Sequence, residues 1–284
     1  MPVHDFILTL ACPDRTGIVY NVSGLLLKHQ GNIIDAQQFG DAETRQFFLR
    51  VHFTLPNQLG IEQVKTDFLI LAPQFHMNWR IHDAQKKARL LILVSKQGHC
   101  LNDLLFRVHS KQLKAEIAGV VSNHQDFALM AKSYAIPFHH LPVTPDTKAA
   151  QEAAMLAIVK REDIDLVVLA RYMQILSPEL CAALQGKAIN IHHSFLPSFK
   201  GARPYYQAHA RGVKIIGATA HYVTHDLDEG PIIEQDIQRV DHSMSAQDLT
   251  DVGSDIESRV LSRAVSSHVE HRILLNGSKT VVFR

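Results

Sequence analysis

"KAINIHHSFLPSFKGARPYYQA", Lys187 to Ala208, opens as a strand and closes as a loop. Ala188, Ile189 and Ile191 form a short apolar run, while Pro197 and Pro204 lack the backbone donor that a sheet interior requires. Side chains alternate faces along a strand, so Asn190 and His192 point one way and Ile191 the other. A buried strand that ends in polar side chains suits the carboxyl edge of a doubly wound sheet, where ligands bind. Outward from it, "RLLILVS" (89–95), "AEIAGVVS" (115–122) and "IDLVVLA" (164–170) are equally short and apolar on both faces. Helical spacing separates them, which is the pattern of buried parallel strands. "GATAHYVT" (217–224) and "PIIEQDIQRV" (231–240) read as an antiparallel pair that closes the sheet, and "ESRVLSRAVSSHVEHRI" (257–273) as an amphipathic helix.

The polar stretch "HDAQKKA" (82–88) divides this region from a differently patterned one, giving domains at 1–84 and 85–284. "DFILTLAC" (5–12) is a strand, and "IVYNVSGLLLKH" (18–29) carries apolar residues at helical spacing. "GNIIDAQQFG" (31–40) and "RQFFLRVHFTL" (45–55) are paired strands, "GIEQVKTDFLILAPQF" (60–75) a second helix and "HMNWRIH" (76–82) a last strand. This βαββαβ order makes an antiparallel sheet covered on one face by two helices. The expected fold is therefore α/β: that small domain, then a doubly wound, mostly parallel one.

A chain of 284 residues with 46% apolar content has room for both cores. Its 29 Lys and Arg against 28 Asp and Glu give no electrostatic case for nucleic acid or an anionic membrane surface. Cys12, Cys100 and Cys181 are odd in number and far apart, so neither a disulfide framework nor a CxxC metal site is expected. "MPVHDFILTLACPDRTG" is a poor signal peptide, and no apolar run approaches the ~20 residues that span a bilayer. A cytoplasmic, reducing location is expected. Among 18 histidines, His139, His140, His192, His193, His221 and His225 are the candidates for metal ligation. The H-x-x-x-H spacing of His221 and His225 falls on a strand and its loop, with no HExxH or CxxC, so no metal is expected.

Asn190 and His192 together suit carbonyl chemistry: an amide donor for a developing oxyanion and an imidazole to move a proton. They are equally readable as two satisfied polar residues at a strand end. "HYVTHDLDEGP" (221–231) offers a carboxylate from Asp226, Asp228 or Glu229, or is simply a solvated acidic hairpin loop. "SKQGHCLNDLL" (95–105) has only Gly98, where a phosphate cradle would want several glycines, and His99 to Ser110 reads as an ordinary helix.

"NIHHSFLPSFKGARPYYQA" together with "GATAHYVTHDLDEGPI" resembles the folate-dependent formyltransferase family, over nearly the whole chain. The adjacent histidines and "GARPY" resemble its hydrolytic branch, and "CPDRTGIV" (12–19) resembles an ACT domain, a ferredoxin-like module that senses small molecules. The resemblance implies a triad of Asn190, His192 and Asp228. It places a reduced pterin against Met173, Gln174, Ile175 and Leu176 and the loop of Thr224, His225, Asp226, Leu227 and Asp228. It implies 10-formyltetrahydrofolate as substrate and no cofactor. With no phosphate cradle, water becomes the acceptor and formate the product; the alternatives are formyl transfer to an amine and an inactive amino-acid sensor. An amino-acid effector is expected at Asp14, Arg15, Thr16, Gly17 and Ile18, where a turn opens a helix and backbone N–H groups are free. A homo-oligomer, dimer or tetramer, is expected through the ACT domains, and a cis bond at Leu196–Pro197. His193 either positions the water or, by strand alternation, faces the opposite side.

Overall fold

A computed structural model describes residues 3–56, 60–194 and 204–284, and the chain divides into two compact units, 1–86 with 270–284, and 87–269. In the first unit β1 (Val3–Pro13), α1 (Ile18–Lys28), β2 (Asn32–Asp41), β3 (Gln46–Pro56), α2 (Ile61–Phe75) and β4 (Asn78–Asp83) follow the expected βαββαβ order. The antiparallel sheet runs β2-β3-β1-β4. Period-two alternation turns Phe6, Leu8 and Leu10 of β1, and Val51, Phe53 and Leu55 of β3, toward the helices. They meet Ile18, Val22 and Leu26, four apart on α1, and Val64, Phe68 and Leu71 of α2. Each large apolar side chain buried this way contributes about 1.5–3 kcal/mol relative to exposure.

The second unit runs β5 (Ala88–Val94), α3 (His99–His109), β6 (Ala115–Ser122), α4 (Ala128–Ser133), β7 (Phe138–His140), α5 (Lys148–Arg161), β8 (Leu166–Leu169), α6 (Pro178–Ala183), β9 (Ala188–His192), α7 (Pro204–Ala210), β10 (Ile215–Tyr222), β11 (Ile232–Arg239) and α8 (Ala246–Val269). Its sheet has the order β11-β10-β9-β8-β5-β6-β7. The pairs from β9 to β7 are parallel, and β10 joins β9 and β11 antiparallel. Leu90 to Val94 are wholly buried, as a strand covered on both faces must be. The chain starts in the middle at β5 and winds both ways, which leaves a crevice beyond the carboxyl ends of β5 and β8. The short β7 escaped the sequence reading because Phe138-His139-His140 offers no apolar run.

The C-terminal segment departs from expectation. The helix expected over 257–273 is the longer α8, which starts at Ala246 and stops at Val269. The chain then returns to the first unit as the hairpin β12 (Ile273–Asn276) and β13 (Lys279–Val282), turning at Gly277 with φ 61°. A cut at 84/85 therefore leaves this hairpin in the wrong unit. Leu274 and Phe283 pack on Phe48, on the face of β3 that the helices leave open. Arg50, on that same face, donates to the carbonyls of Glu270 (3.1 Å) and His271 (3.2 Å). All three cysteines are free and buried. Among the described residues no helix is long and apolar enough to cross a membrane.

Candidate active site

Strand β9 presents Asn190 and His192 on one face at its carboxyl end, and the antiparallel register with β10 sets His221 directly opposite Asn190. After β10 the chain turns through Thr224–Asp228, and Asp228 adopts a left-handed φ of 59°, uncommon outside glycine. That turn brings its carboxylate back over the strand ends. Oδ2 lies 3.2 Å from His192 Nδ1, and Oδ1 lies 3.4 Å from Asn190 Nδ2 and 3.6 Å from His221 Nε2. His221 Nδ1 donates to the Tyr222 carbonyl at 2.9 Å, which leaves Nε2 to accept from Asn190 Nδ2 at 3.3 Å when the ring is neutral. Burial alone would raise the Asp228 pKa, but the hydrogen bond from His192 and, when its ring is protonated, the neighbouring His221 hold the carboxyl well below the usual range. Asp228 is therefore an anion, suited to orienting His192 and to stabilising its protonated form.

These four side chains line a cleft of about 350 Å³. Met173, Gln174, Ile175 and Leu176 form one wall, and Thr224, His225, Asp226 and Leu227 the other. Met173, Ile175 and Leu227 are each more than half exposed, so the cleft offers apolar surface for a flat ring. Gly230 anchors the turn that carries Asp228. A Cβ there would overlap the Tyr222 carbonyl oxygen and crowd His221 Nδ1. Gly230→Ala is expected to cost about 1–3 kcal/mol in a denaturant melt and to lower activity by displacing Asp228.

Strand alternation would turn His193 away from His192, and the structure overturns that expectation. The strand ends at His192, so alternation no longer governs the next residue. The His193 ring stacks against that of His192, centroids 4.7 Å apart and planes 24° apart, and lines the same cleft. Behind it lies a polar network that sequence reading missed. Arg171 Nη1 donates to His193 Nδ1 at 2.8 Å, and Arg171 Nε lies 2.8 Å from Gln97 Oε1 and 3.3 Å from Glu257 Oε2. Glu257 accepts from the Tyr205 hydroxyl at 2.6 Å and pairs with His99 Nε2 at 2.7 Å. Gly253 lets the Tyr205 ring lie against α8, where a Cβ would overlap it. The one available signal was Glu257 itself, a carboxylate next to Ile256 in the apolar stripe of α8.

Of the histidines weighed as metal ligands, His192, His193, His221 and His225 line the cleft, but among the described residues they form no group of three ligand atoms close enough to hold an ion. His139 and His140 sit on β7, at the sheet edge remote from β10. Among the described residues one trio, His99, Cys100 and Glu257, has ligand atoms within 4.8 Å of one another. There the Arg171 guanidinium already neutralises Glu257, and burial pushes the Cys100 thiol well above its ordinary pKa, so the donor set suits a cation poorly. Gly98 in "SKQGHCL" serves close approach to Phe127, whose ring would overlap a Cβ. At the N-terminal turn, Gly17 has φ 92° and caps α1 with no side-chain hydrogen bond, while Arg15 lies 4.5 Å from the Phe75 ring centroid. Leu196–Pro197 lies outside the described residues.

Residues 88–265 match the Formyl transferase family. Over 281 residues the chain is 50% identical to the formyltetrahydrofolate deformylase of Corynebacterium sp. strain P-1, covering 98% of each. It is 48% identical over 277 residues to that of Synechocystis sp. strain PCC 6803, covering 97% of each. The crystal structure of formyltetrahydrofolate deformylase from Burkholderia mallei superposes with a TM-score of 0.95 at 52% identity, covering 99% of this chain and all of that one.

Proposed function

This chain belongs to the formyltetrahydrofolate deformylases of the Formyl transferase family, and from that membership we propose how its cleft hydrolyses 10-formyltetrahydrofolate to tetrahydrofolate and formate. The pterin lies between the Met173–Leu176 wall and the Thr224–Leu227 turn, and the formyl carbon sits beside Asn190 and His192. The Asp228 carboxylate holds the Nδ1 proton of His192, which leaves Nε2 free to take a proton. His192 removes that proton from water as the oxygen attacks the formyl carbon. The Asn190 amide, whose contacts at 3.3 and 3.4 Å are long and easily exchanged, turns to the oxyanion. The C–N10 bond then breaks, N10 takes the proton from His192, and the formic acid released gives its remaining proton to solvent to become formate.

The observation that carries this reading is the convergence of Asn190, His192 and Asp228 in a cleft with apolar walls. The single glycine after β5, closed over by Phe127, supports water rather than a phosphorylated amine as acceptor. The test is formate release by purified protein from 10-formyltetrahydrofolate alone. A requirement for an added amine would favour formyl transfer.

The first unit gives the same proposal a regulatory side. The turn Asp14–Ile18, opening α1 without a side-chain cap, is the place for a small amino-acid effector. Edge strand β2 exposes Ile33, Ile34 and Phe39, which supports a homo-oligomer paired through this unit. Light scattering is expected to give at least a dimer, and a monomer at micromolar concentration would contradict the assembly.

A further inference from the structure

His192 and His193 each have a buried Nε2 without a hydrogen-bond partner. Unpaired buried polar atoms cost free energy and call for an explanation. The two atoms have opposite character. His192 Nδ1 faces a carboxylate, which only accepts, so its proton sits on Nδ1 and Nε2 carries a lone pair. His193 Nδ1 faces Arg171, which only donates, so the neutral ring carries its proton on Nε2. Burial first, then the charge of Arg171, pushes the His193 pKa down to about 4, so the ring is neutral near pH 7.

Considerable structure is committed to holding Arg171 there. It is 6% exposed and sits at a left-handed φ of 64°, unfavourable for a side chain of its size. A buried guanidinium needs a counter-charge, and Glu257, 1% exposed, supplies it while held by His99 and Tyr205. Arg171 and His193, with Met173 and Gln174, line both this cleft and a second cavity of about 390 Å³ at the carboxyl ends of β5 and β6.

We propose that Arg171 is a positioning residue that fixes His193 as a donor, and that His193 and His192 together orient the attacking water. The water accepts from His193 Nε2 and donates to His192 Nε2, as one molecule between an imidazole donor and an imidazole acceptor does. Its O–H bond breaks toward His192, and the lone pair freed on oxygen forms the bond to the formyl carbon. The C–N10 bond breaks and N10 recovers the proton. This rests on the hydrolytic reading above and gives the choice of water over other acceptors a structural cause.

The test compares His193→Gln, whose amide nitrogen reaches the place of Nε2, with His193→Asn, whose nitrogen stops at that of Nδ1. Hydrolysis is followed beside formyl transfer to added hydroxylamine, and tetrahydrofolate binding is titrated. The expected result is loss of ~10²-fold in hydrolytic kcat for Asn against less than ~10-fold for Gln, with tetrahydrofolate affinity within ~3-fold. The ratio of transfer to hydrolysis should rise at least ~10-fold in the Asn variant, since a structural defect would lower both alike. Equal loss of both reactions, or an Asn variant with near-full hydrolysis, overturns the proposal. If the Asn variant does not fold, a ~10²-fold loss in His193→Gln with tetrahydrofolate still bound overturns it as well. Wild-type protein that releases no formate would instead sink the hydrolytic reading itself.

Discussion

Asp228→Asn is expected to lower kcat by ~10³–10⁴-fold while tetrahydrofolate still binds within ~3-fold of wild type. The carboxylate lies 3.2 Å from His192 Nδ1 and is held ionised by His192 and His221. It fixes the His192 tautomer and offsets the charge that ring gains when it takes the water's proton. An amide of the same shape carries no charge, and in one of its two orientations it presents N–H groups to Nδ1 and turns the ring's lone pair the wrong way. Both stages of the proposed reaction pass through His192, so both slow. The folate contacts assigned to Met173, Ile175 and Leu227 are apolar and remain, which separates the effect on kcat from binding. Steady-state rates beside a tetrahydrofolate titration check it, and near-full activity in the variant would remove Asp228 from the mechanism.

Asn190→Ala is expected to cost ~10²–10³-fold in kcat, the typical worth of one oxyanion donor. The side chain rests at the strand end on long contacts to His221 and Asp228, which it exchanges for the oxyanion. Its removal leaves a cavity at the formyl oxygen but keeps the His192–Asp228 pair. The KM for 10-formyltetrahydrofolate should therefore change by less than ~5-fold. A rise in KM with unchanged kcat would show Asn190 to be a binding group only.

Different parts of this molecule were legible to different degrees. The βαββαβ order and four of the five parallel strands follow from local periodicity, which burial on one or both faces imposes directly on the sequence. The pairing of Asn190 with His192 was legible for the same reason. His193 was not, because alternation holds only inside a strand and the strand ends one residue earlier. The role proposed for Asp228 rests on family resemblance, since a carboxylate in a polar loop looks like any solvated turn. What places it is a left-handed backbone at Asp228 and the tight approach of Gly230 to Tyr222, neither of which composition reveals. His221 depended on the β9–β10 register, and Arg171 with Glu257 on the packing of α8, and both are long-range facts. The C-terminal hairpin was within reach. Asn276-Gly277-Ser278 between "ILL" and "KTVV" is a turn signal, and extending the helical pattern to Ile273 overran it.

In the proposed mechanism, water activated by His192 is the acceptor of the formyl group. The most direct measurement is a single turnover of 10-formyltetrahydrofolate in ¹⁸O-labelled water, with no amine present and a chelator added, followed by mass analysis of the formate. The expected result is formate carrying one ¹⁸O atom, formed in equal amount to tetrahydrofolate and at a rate unaffected by the chelator. Formate that appears only when an amine is supplied, or turnover that the chelator abolishes, would contradict the account.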